Sequence, residues 1–286
     1  MRVVFIIGAP RSGTNMLRNI VTDFDGVATW PCDEINYILR HGNVRNPSDE
    51  FSARHATSKV KNYIKSTFEK FAKSVSAEIV VEKTCANSLR VPFLNKVFPN
   101  AKYIFIIRDG IDVTGSAKLR WTGKLDLGYI LKKVRFVPKI DLFYYGTRYL
   151  GARLHRFFSK ENKLAFWGPQ LSEMQCIIKN HTLNEVCAIQ WKECVEKADA
   201  ALSLLPQNQV CRIQYETFVK EPKSELNRVL KFMGVEASEK QLEHATIGVS
   251  AKSIGKGRQL LGHDEVRNLE NLVGITLKKF GYLENQ

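Results

Sequence analysis

Paired cysteines, metal-ligand spacings, internal repeats and low-complexity tracts are all missing from this chain of 286 residues. Its six cysteines (Cys32, Cys85, Cys176, Cys187, Cys194 and Cys211) form no C-x-x-C and have no histidine at zinc spacing. This excludes a zinc module and favours a reducing compartment over a disulfide scaffold. Cys187 and Cys194, seven apart, share one face of a predicted helix, where buried free thiols are ordinary. Acidic residues are in deficit: 29 Asp+Glu stand against 43 Lys+Arg, a net charge of +14. Such a balance points to an anionic partner. There is neither an arginine-rich tail nor a nucleic-acid module, so nucleic acid is not the expected partner. The first strand is predicted from residue 3, which leaves no room upstream for a signal peptide or membrane anchor. The expectation is a cytoplasmic chain without a transmembrane segment, folded as a single domain over residues 1–286.

One further absence is more telling. Val3-Val4-Phe5-Ile6-Ile7 is an unbroken apolar run, the mark of a strand buried on both faces. Gly8-Ala9-Pro10-Arg11-Ser12-Gly13-Thr14-Asn15 follows, and then Met16, Leu17, Ile20, Val21 and Phe24 recur at helical spacing. Strand, glycine-rich turn and helix N-terminus in that order make an anion site, because unpaired N–H groups and the helix dipole converge there. Gly8 and Gly13 keep the spacing of a nucleotide-triphosphatase loop, but Thr14 stands where its lysine belongs. The cation is instead Arg11, inside the turn. The loop is expected to hold a phosphate-bearing ligand in some manner other than the usual ATP mode.

Further strands are expected at Gly26–Trp30, Glu78–Val81, Lys102–Ile107 and Val210–Gln214. Helices are expected over residues 60–75, 88–98, from about Asp112, and over 183–205, 222–233 and 266–280, with Gly234 as a C-terminal stop. Residues 41–58 read as a loop. This alternation predicts an α/β three-layer sandwich on a central parallel sheet, with ligands at the carboxyl ends of the strands. Residues 122–170 mix Gly, Lys, Arg and aromatics without clean periodicity and read as a helical insertion. Three readings of it stay open: an acceptor groove or lid, a peripheral patch resting on anionic lipid, or a subdomain with buried aromatics.

Together these residues resemble the sulfotransferases that use 3′-phosphoadenosine 5′-phosphosulfate (PAPS), over most of 1–121 and 183–282 and apart from the insertion. The resemblance implies the P-loop-like sulfotransferase fold. It also implies that Pro10, Arg11, Ser12, Gly13, Thr14 and Asn15 wrap the 5′-phosphosulfate. Arg108, closing Phe105-Ile106-Ile107-Arg108-Asp109-Gly110, and Ser116 would hold the 3′-phosphate. Tyr215 in Tyr215-Glu216 would lie by the adenine, and Lys256-Gly257-Arg258 is similar to a late basic loop over the same phosphate. Asp33-Glu34-Ile35-Asn36-Tyr37 resembles a segment whose glutamate is the base, and Glu82-Lys83-Thr84 an element whose lysine reaches the reacting groups; both belong to the glycan-modifying and related bacterial branches. Asn15 departs from the pattern, since a second threonine is common there.

The residues support this reading independently. A nucleotide with 5′ and 3′ anions needs two phosphate sites, and two strand ends offer them: Arg11 to Thr14, and Arg108 to Ser116. Arginine's planar fork suits phosphate, and Ser116 lies about two turns into its helix, where it can add a hydroxyl donor. The competing reading of Arg108 is an ion pair with Asp109 or Asp112. Sulfuryl transfer needs in-line geometry, positive charge at the bridging oxygen and a base. The expected reaction moves a sulfuryl group from PAPS to a hydroxyl or amine acceptor, a carbohydrate first and a glycolipid among the candidates, with 3′,5′-ADP as product and no metal. Glu34 is the expected base, with His41 as second candidate, and Lys83 the transition-state cation. An ATP-dependent small-molecule kinase on a degenerate loop and a non-catalytic nucleotide or polyanion binder remain the alternatives.

Overall fold

The computed structural model describes residues 1–121, 138, 140–141 and 168–284. Most of the expected insertion therefore lies outside the described residues. In chain order the elements are β1 (Arg2–Ile7), α1 (Thr14–Val21), β2 (Val27–Thr29), α2 (Asn36–Leu39), α3 (Ser58–Ser74), β3 (Ile79–Glu82), α4 (Val91–Val97), β4 (Lys102–Ile107) and α5 (Gly110–Trp121). Beyond the insertion come α6 (Met174–Asn180), α7 (Leu183–Leu202), β5 (Val210–Gln214), α8 (Tyr215–Lys220), α9 (Pro222–Met233), α10 (Glu239–Thr246), α11 (Lys256–Leu261) and α12 (His263–Lys279).

The five strands form one parallel sheet in the order β2-β3-β1-β4-β5. Alternation along each strand divides the core into two layers. Val3, Phe5, Ile7, Val80, Tyr103 and Phe105 face α3, α4 and α7, whereas Val4, Ile6, Val81, Ile104 and Ile106 face α1, α8 and α9. Burial on both faces is why these strands read as continuous apolar runs. Cys187 and Cys194 are buried free thiols of α7. The sheet order reverses around β1, so the crevice at its carboxyl end lies between the exits of β3 and β4, where an open parallel sheet takes its ligand.

Several boundaries differ from expectation for local reasons. The helix expected over 88–98 is a 3₁₀ turn, Cys85–Leu89, followed by α4, because Pro92 has no N–H to give and fits only in a first turn. Glu82 belongs to β3, paired with Phe5, which places Lys83 directly at the strand exit. The Lys256-Gly257-Arg258 segment is not a loop but the first turn of α11, entered through Gly255 at φ 75°. Where the chain emerges from the insertion, Gln170 is fastened to Asp49: the Asp49 N–H donates to the Gln170 carbonyl at 2.8 Å and the Gln170 N–H to Asp49 Oδ2 at 2.9 Å.

Candidate active site

At the end of β1 the chain passes over β4 so closely that a Cβ on Gly8 would stand 2.8 Å from the Ile106 carbonyl oxygen. It then turns through left-handed backbone at Arg11 (φ 70°) and Gly13 (φ 88°). Gly13 is obligatory twice over, since a Cβ there would also lie 2.5 Å from the Tyr215 ring. The Ser12 N–H is spent on the Ala9 carbonyl at 3.2 Å, but the N–H groups of Gly13 to Met16 have no acceptor within α1. Ser12 Oγ is fully buried and, among the described residues, has no hydrogen-bond partner. A buried hydroxyl without an acceptor, beside a helix N-terminus, suits a ligand oxyanion.

The second anion group stands next to the first. Arg108, at the exit of β4, donates from Nη1 to the Arg11 carbonyl at 3.1 Å and from Nη2 to the Ser253 carbonyl at 2.8 Å. Arg11 Nε reaches Ser116 Oγ on α5 at 2.9 Å. The two arginines, expected from different strand ends, are thus neighbours at the rim of the sheet. The guanidinium of Arg108 lies 4.4 Å from the centroid of the Tyr215 ring, and the Tyr215 hydroxyl meets Ser253 Oγ at 2.6 Å. Tyr215 is therefore a buried strut between Gly13, Arg108 and Ser253. Arg108 Nε is buried and, among the described residues, has no hydrogen-bond partner. The ion pair with Asp112 weighed as a competing reading exists at 3.7 Å, but in the interior, not at the surface. Trp191 of α7 closes the pocket from behind: its Nε1 donates to the Arg108 carbonyl at 3.1 Å, and its ring lies where a Cβ on Gly110 would fall. Arg258 turns to Asp109 (3.0 Å) and Glu270 (2.6 Å), while Lys256 is exposed.

Across the crevice, β2 and β3 deliver a third group. Lys83, 3 % exposed, lies 3.3 Å from Glu34 Oε1 and 3.2 Å from Asp33 Oδ1. Asp33 is shared with Arg18 of α1, at 2.7 Å. Glu34 Oε1 also accepts the Cys85 N–H at 3.1 Å, and Cys85 Sγ is 3.9 Å from Thr14 Oγ1, so the carboxylate is joined to the first turn of α1 through one residue. Behind Lys83, the fully buried Glu82 carboxyl is gripped by Thr84 and Asn87, and Asn87 in turn receives Arg90 Nε at 2.8 Å. Burial pushes Glu82 up to about 7, against the pull of Thr84 and Arg90.

Burial works against the Lys83 ammonium, but its anionic surroundings (Cys85, Glu34 and Asp33) outweigh it and hold the group above the ordinary lysine value. Burial pushes the Cys85 thiol up to about 12, so near neutral pH the two carboxylates are the charges that act on Lys83. Burial also raises Asp33, yet Lys83 and Arg18 prevail and bring it from 3.8 down to about 2. A carboxylate depressed in this way contributes stability that is complete above its unfolded value and lost as pH falls through the folded one. Asp33→Asn is therefore expected to flatten the loss of stability between about pH 5 and about pH 2, measured by urea unfolding at stepped pH; a slope equal to wild type would refute the assignment.

The second base candidate, His41, is held by Asp141 at 2.7 Å and packs on the Tyr63 ring, in a different setting from the Glu34–Lys83 pair. Four residues important to this geometry did not stand out in the sequence: Arg18, Asn87, Asp112 and Trp191. Arg18 carried a usable signal, since it follows Thr14 by one helical turn and so shares its face. Among the described residues no group of three or more His, Cys, Asp or Glu is arranged to hold a metal ion, and no helix is long and apolar enough to cross a membrane.

Two neighbouring arginines, Arg11 and Arg108, thus stand beside an ion-paired Glu34–Lys83 centre at the rim of the parallel sheet. A model of the sulfotransferase family matches residues 3–165 and 155–239, and the chain belongs to that family. The match runs through the segment that the sequence reading set apart, and stops short of Lys256. No curated protein matches the chain significantly. Among solved structures, the sulfotransferase domain from the curacin biosynthetic pathway is similar at 14% identity, over 99% of this chain and 99% of that one, with a TM-score of 0.57. The sulfotransferase domain of the Synechococcus PCC 7002 olefin synthase is similar at 15% identity, over 100% and 96%, with a TM-score of 0.55. Sulfotransferase STF9 from Mycobacterium avium is similar at 14% identity, over 98% and 77%, with a TM-score of 0.53. These likenesses establish the sulfotransferase fold.

Proposed function

We propose that this sulfotransferase takes PAPS as donor and passes its sulfuryl group to a hydroxyl or amine acceptor, with Glu34 as general base and Lys83 as the cation at the reacting centre. The observation that carries the reading is the direct link between the pockets, Arg108 Nη1 to the Arg11 carbonyl at 3.1 Å with Arg11 Nε on Ser116 Oγ at 2.9 Å. One ligand with two phosphate groups can span such a pair. Ser12 Oγ and Arg108 Nε, both buried and lacking partners among the described residues, supply one donor for each end. When bound, the donor brings a sulfuryl group activated by its phosphate leaving group.

The remaining chemistry belongs to the chain. Glu34, ion-paired with Lys83, accepts the acceptor's proton at Oε1 or Oε2 as the new bond to sulfur forms. Lys83 is already charged and largely dehydrated, so it can stabilise developing negative charge with little reorganisation. Cys85 joins the Glu34 carboxylate to Thr14 in the first turn of α1. A carbohydrate is the acceptor class we favour, on the resemblance of the segments bearing Glu34 and Lys83 to those of glycan-modifying enzymes, and the cytoplasm is the compartment.

Titration calorimetry tests the donor: 3′,5′-ADP is expected to bind without divalent metal and more tightly than ATP with Mg²⁺. The reverse order would favour the kinase reading. Glu34→Gln is expected to retain 3′,5′-ADP affinity while losing turnover; unchanged turnover would remove Glu34 as base.

A further inference from the structure

The Lys256-Gly257-Arg258 segment was expected to cover the nucleotide's phosphate, yet two main-chain donors of the stretch that leads into it are spent inside the protein. The Gly255 N–H donates to Asp112 Oδ2 at 2.7 Å and the Gly257 N–H to Asp112 Oδ1 at 2.8 Å. Asp112 is buried in the first turn of α5, four residues beyond Arg108. The two backbones meet with no side chain between them. A Cβ on Gly115 would stand 2.7 Å from Gly257 Cα, and one on Gly257 only 2.3 Å from Asp112 Cα. So fastened, the segment presents the Ser253 carbonyl to Arg108 and the Ser253 hydroxyl to Tyr215, whose ring faces the Arg108 guanidinium. Three of the four contacts that orient Arg108 therefore depend on Asp112 directly or through this strap.

We propose that Asp112 is a positioning residue whose carboxylate latches the 253–257 strap, presets Arg108, and thereby makes the site select nucleotides bearing a 3′-phosphate. The inference rests on the donor reading above and assigns its specificity to one side chain. It makes a prediction opposite in sign to simple electrostatics. Asp112 is an anion 3.7 Å from Arg108, and deleting its charge should by Coulomb's law alone strengthen phosphate binding. As a latch, its loss should weaken that binding, because Arg108 must then be ordered by the ligand.

Calorimetry with 3′,5′-ADP and with 5′-AMP, on wild type and Asp112→Asn, decides between these. The asparagine keeps the shape but can accept only one of the two N–H bonds. Its preference for 3′,5′-ADP over 5′-AMP is expected to fall by about tenfold, the loss of roughly one charge-assisted contact, while 5′-AMP affinity moves by less than about twofold. A preference that is unchanged or increased overturns the proposal, as does an equal loss for both ligands, the signature of general damage. Gly257→Ala pushes the strap away by backbone collision without touching any charge. It is expected to show the same selective loss, and it carries the test if Asp112→Asn does not fold. A wild-type protein with no preference for 3′,5′-ADP would refute the donor reading itself, and the latch with it.

Discussion

Replacing Lys83 by methionine is expected to lower kcat on the order of a hundred- to ten-thousandfold while leaving the Kd for 3′,5′-ADP within a few-fold of wild type. The split follows from the geometry. Lys83 contacts Glu34 and Asp33, neither of which is among the nucleotide's proposed partners; those lie in the turn after β1 and the first turn of α1, at the exit of β4, and on α5 and α8. Methionine preserves the buried aliphatic stem and removes only the charge. Without it, Glu34 loses its ion pair, while Asp33 keeps its contact with Arg18. The variant should also be less stable by about 1–3 kcal/mol, the range for a lost charged hydrogen bond. Steady-state kinetics paired with calorimetry reads both quantities. Equal losses in turnover and nucleotide affinity would move Lys83 from the reacting centre to the donor pocket.

The second large effect is expected at Arg108. Arg108→Ala should weaken 3′,5′-ADP binding by about 1.5–3 kcal/mol, a tenfold to hundredfold rise in Kd. Its guanidinium joins the Arg11 carbonyl, the Ser253 carbonyl and the Tyr215 face, so truncation removes a phosphate donor and loosens the walls around it. The Asp112 carboxylate would also lose its nearest cation and face the nucleotide unneutralised. Lysine is not expected to restore affinity, because one ammonium cannot serve both carbonyls and the aromatic face at once. Calorimetry with 3′,5′-ADP measures the change, and an unaltered Kd would remove the second phosphate pocket from the assignment.

The parallel sheet and the phosphate turn were legible because their signals are local. β4, β5 and α9 fall at the expected residues: β4 is buried on both faces and so almost wholly apolar, the edge strand β5 alternates between buried and exposed residues, and Gly234 marks a helix end by its left-handed backbone. Side chains quoted for the resemblance could likewise be placed at strand exits, and Glu34 and Lys83, 49 positions apart, do meet. What stayed hidden are contacts with no periodic trace. Asp112 read only as a surface partner for Arg108, because nothing in its neighbourhood announces the two glycine N–H groups more than 140 positions away. Trp191 lies on the buried face of α7, where an apolar side chain signals only packing, but its indole N–H also fixes the Arg108 carbonyl. Lys256-Gly257-Arg258 read as a basic contact, although Gly257 is there so that two backbones can touch and Arg258 is committed to Asp109 and Glu270. Short helices such as α8 and α11 complete too few turns to show a period; α10 had a readable capping box in Ser238 and Gln241.

The paired hydrogen bonds between Asp49 and Gln170 have an evolutionary corollary. Residues 122–167 leave from α5, the helix that carries Ser116, and the chain is tethered again at Asp49, which is itself gripped by Arg40. Both moorings are made by residues outside that stretch. Substitution between them leaves both moorings intact, so that stretch has latitude to drift while the framework on either side of it is kept.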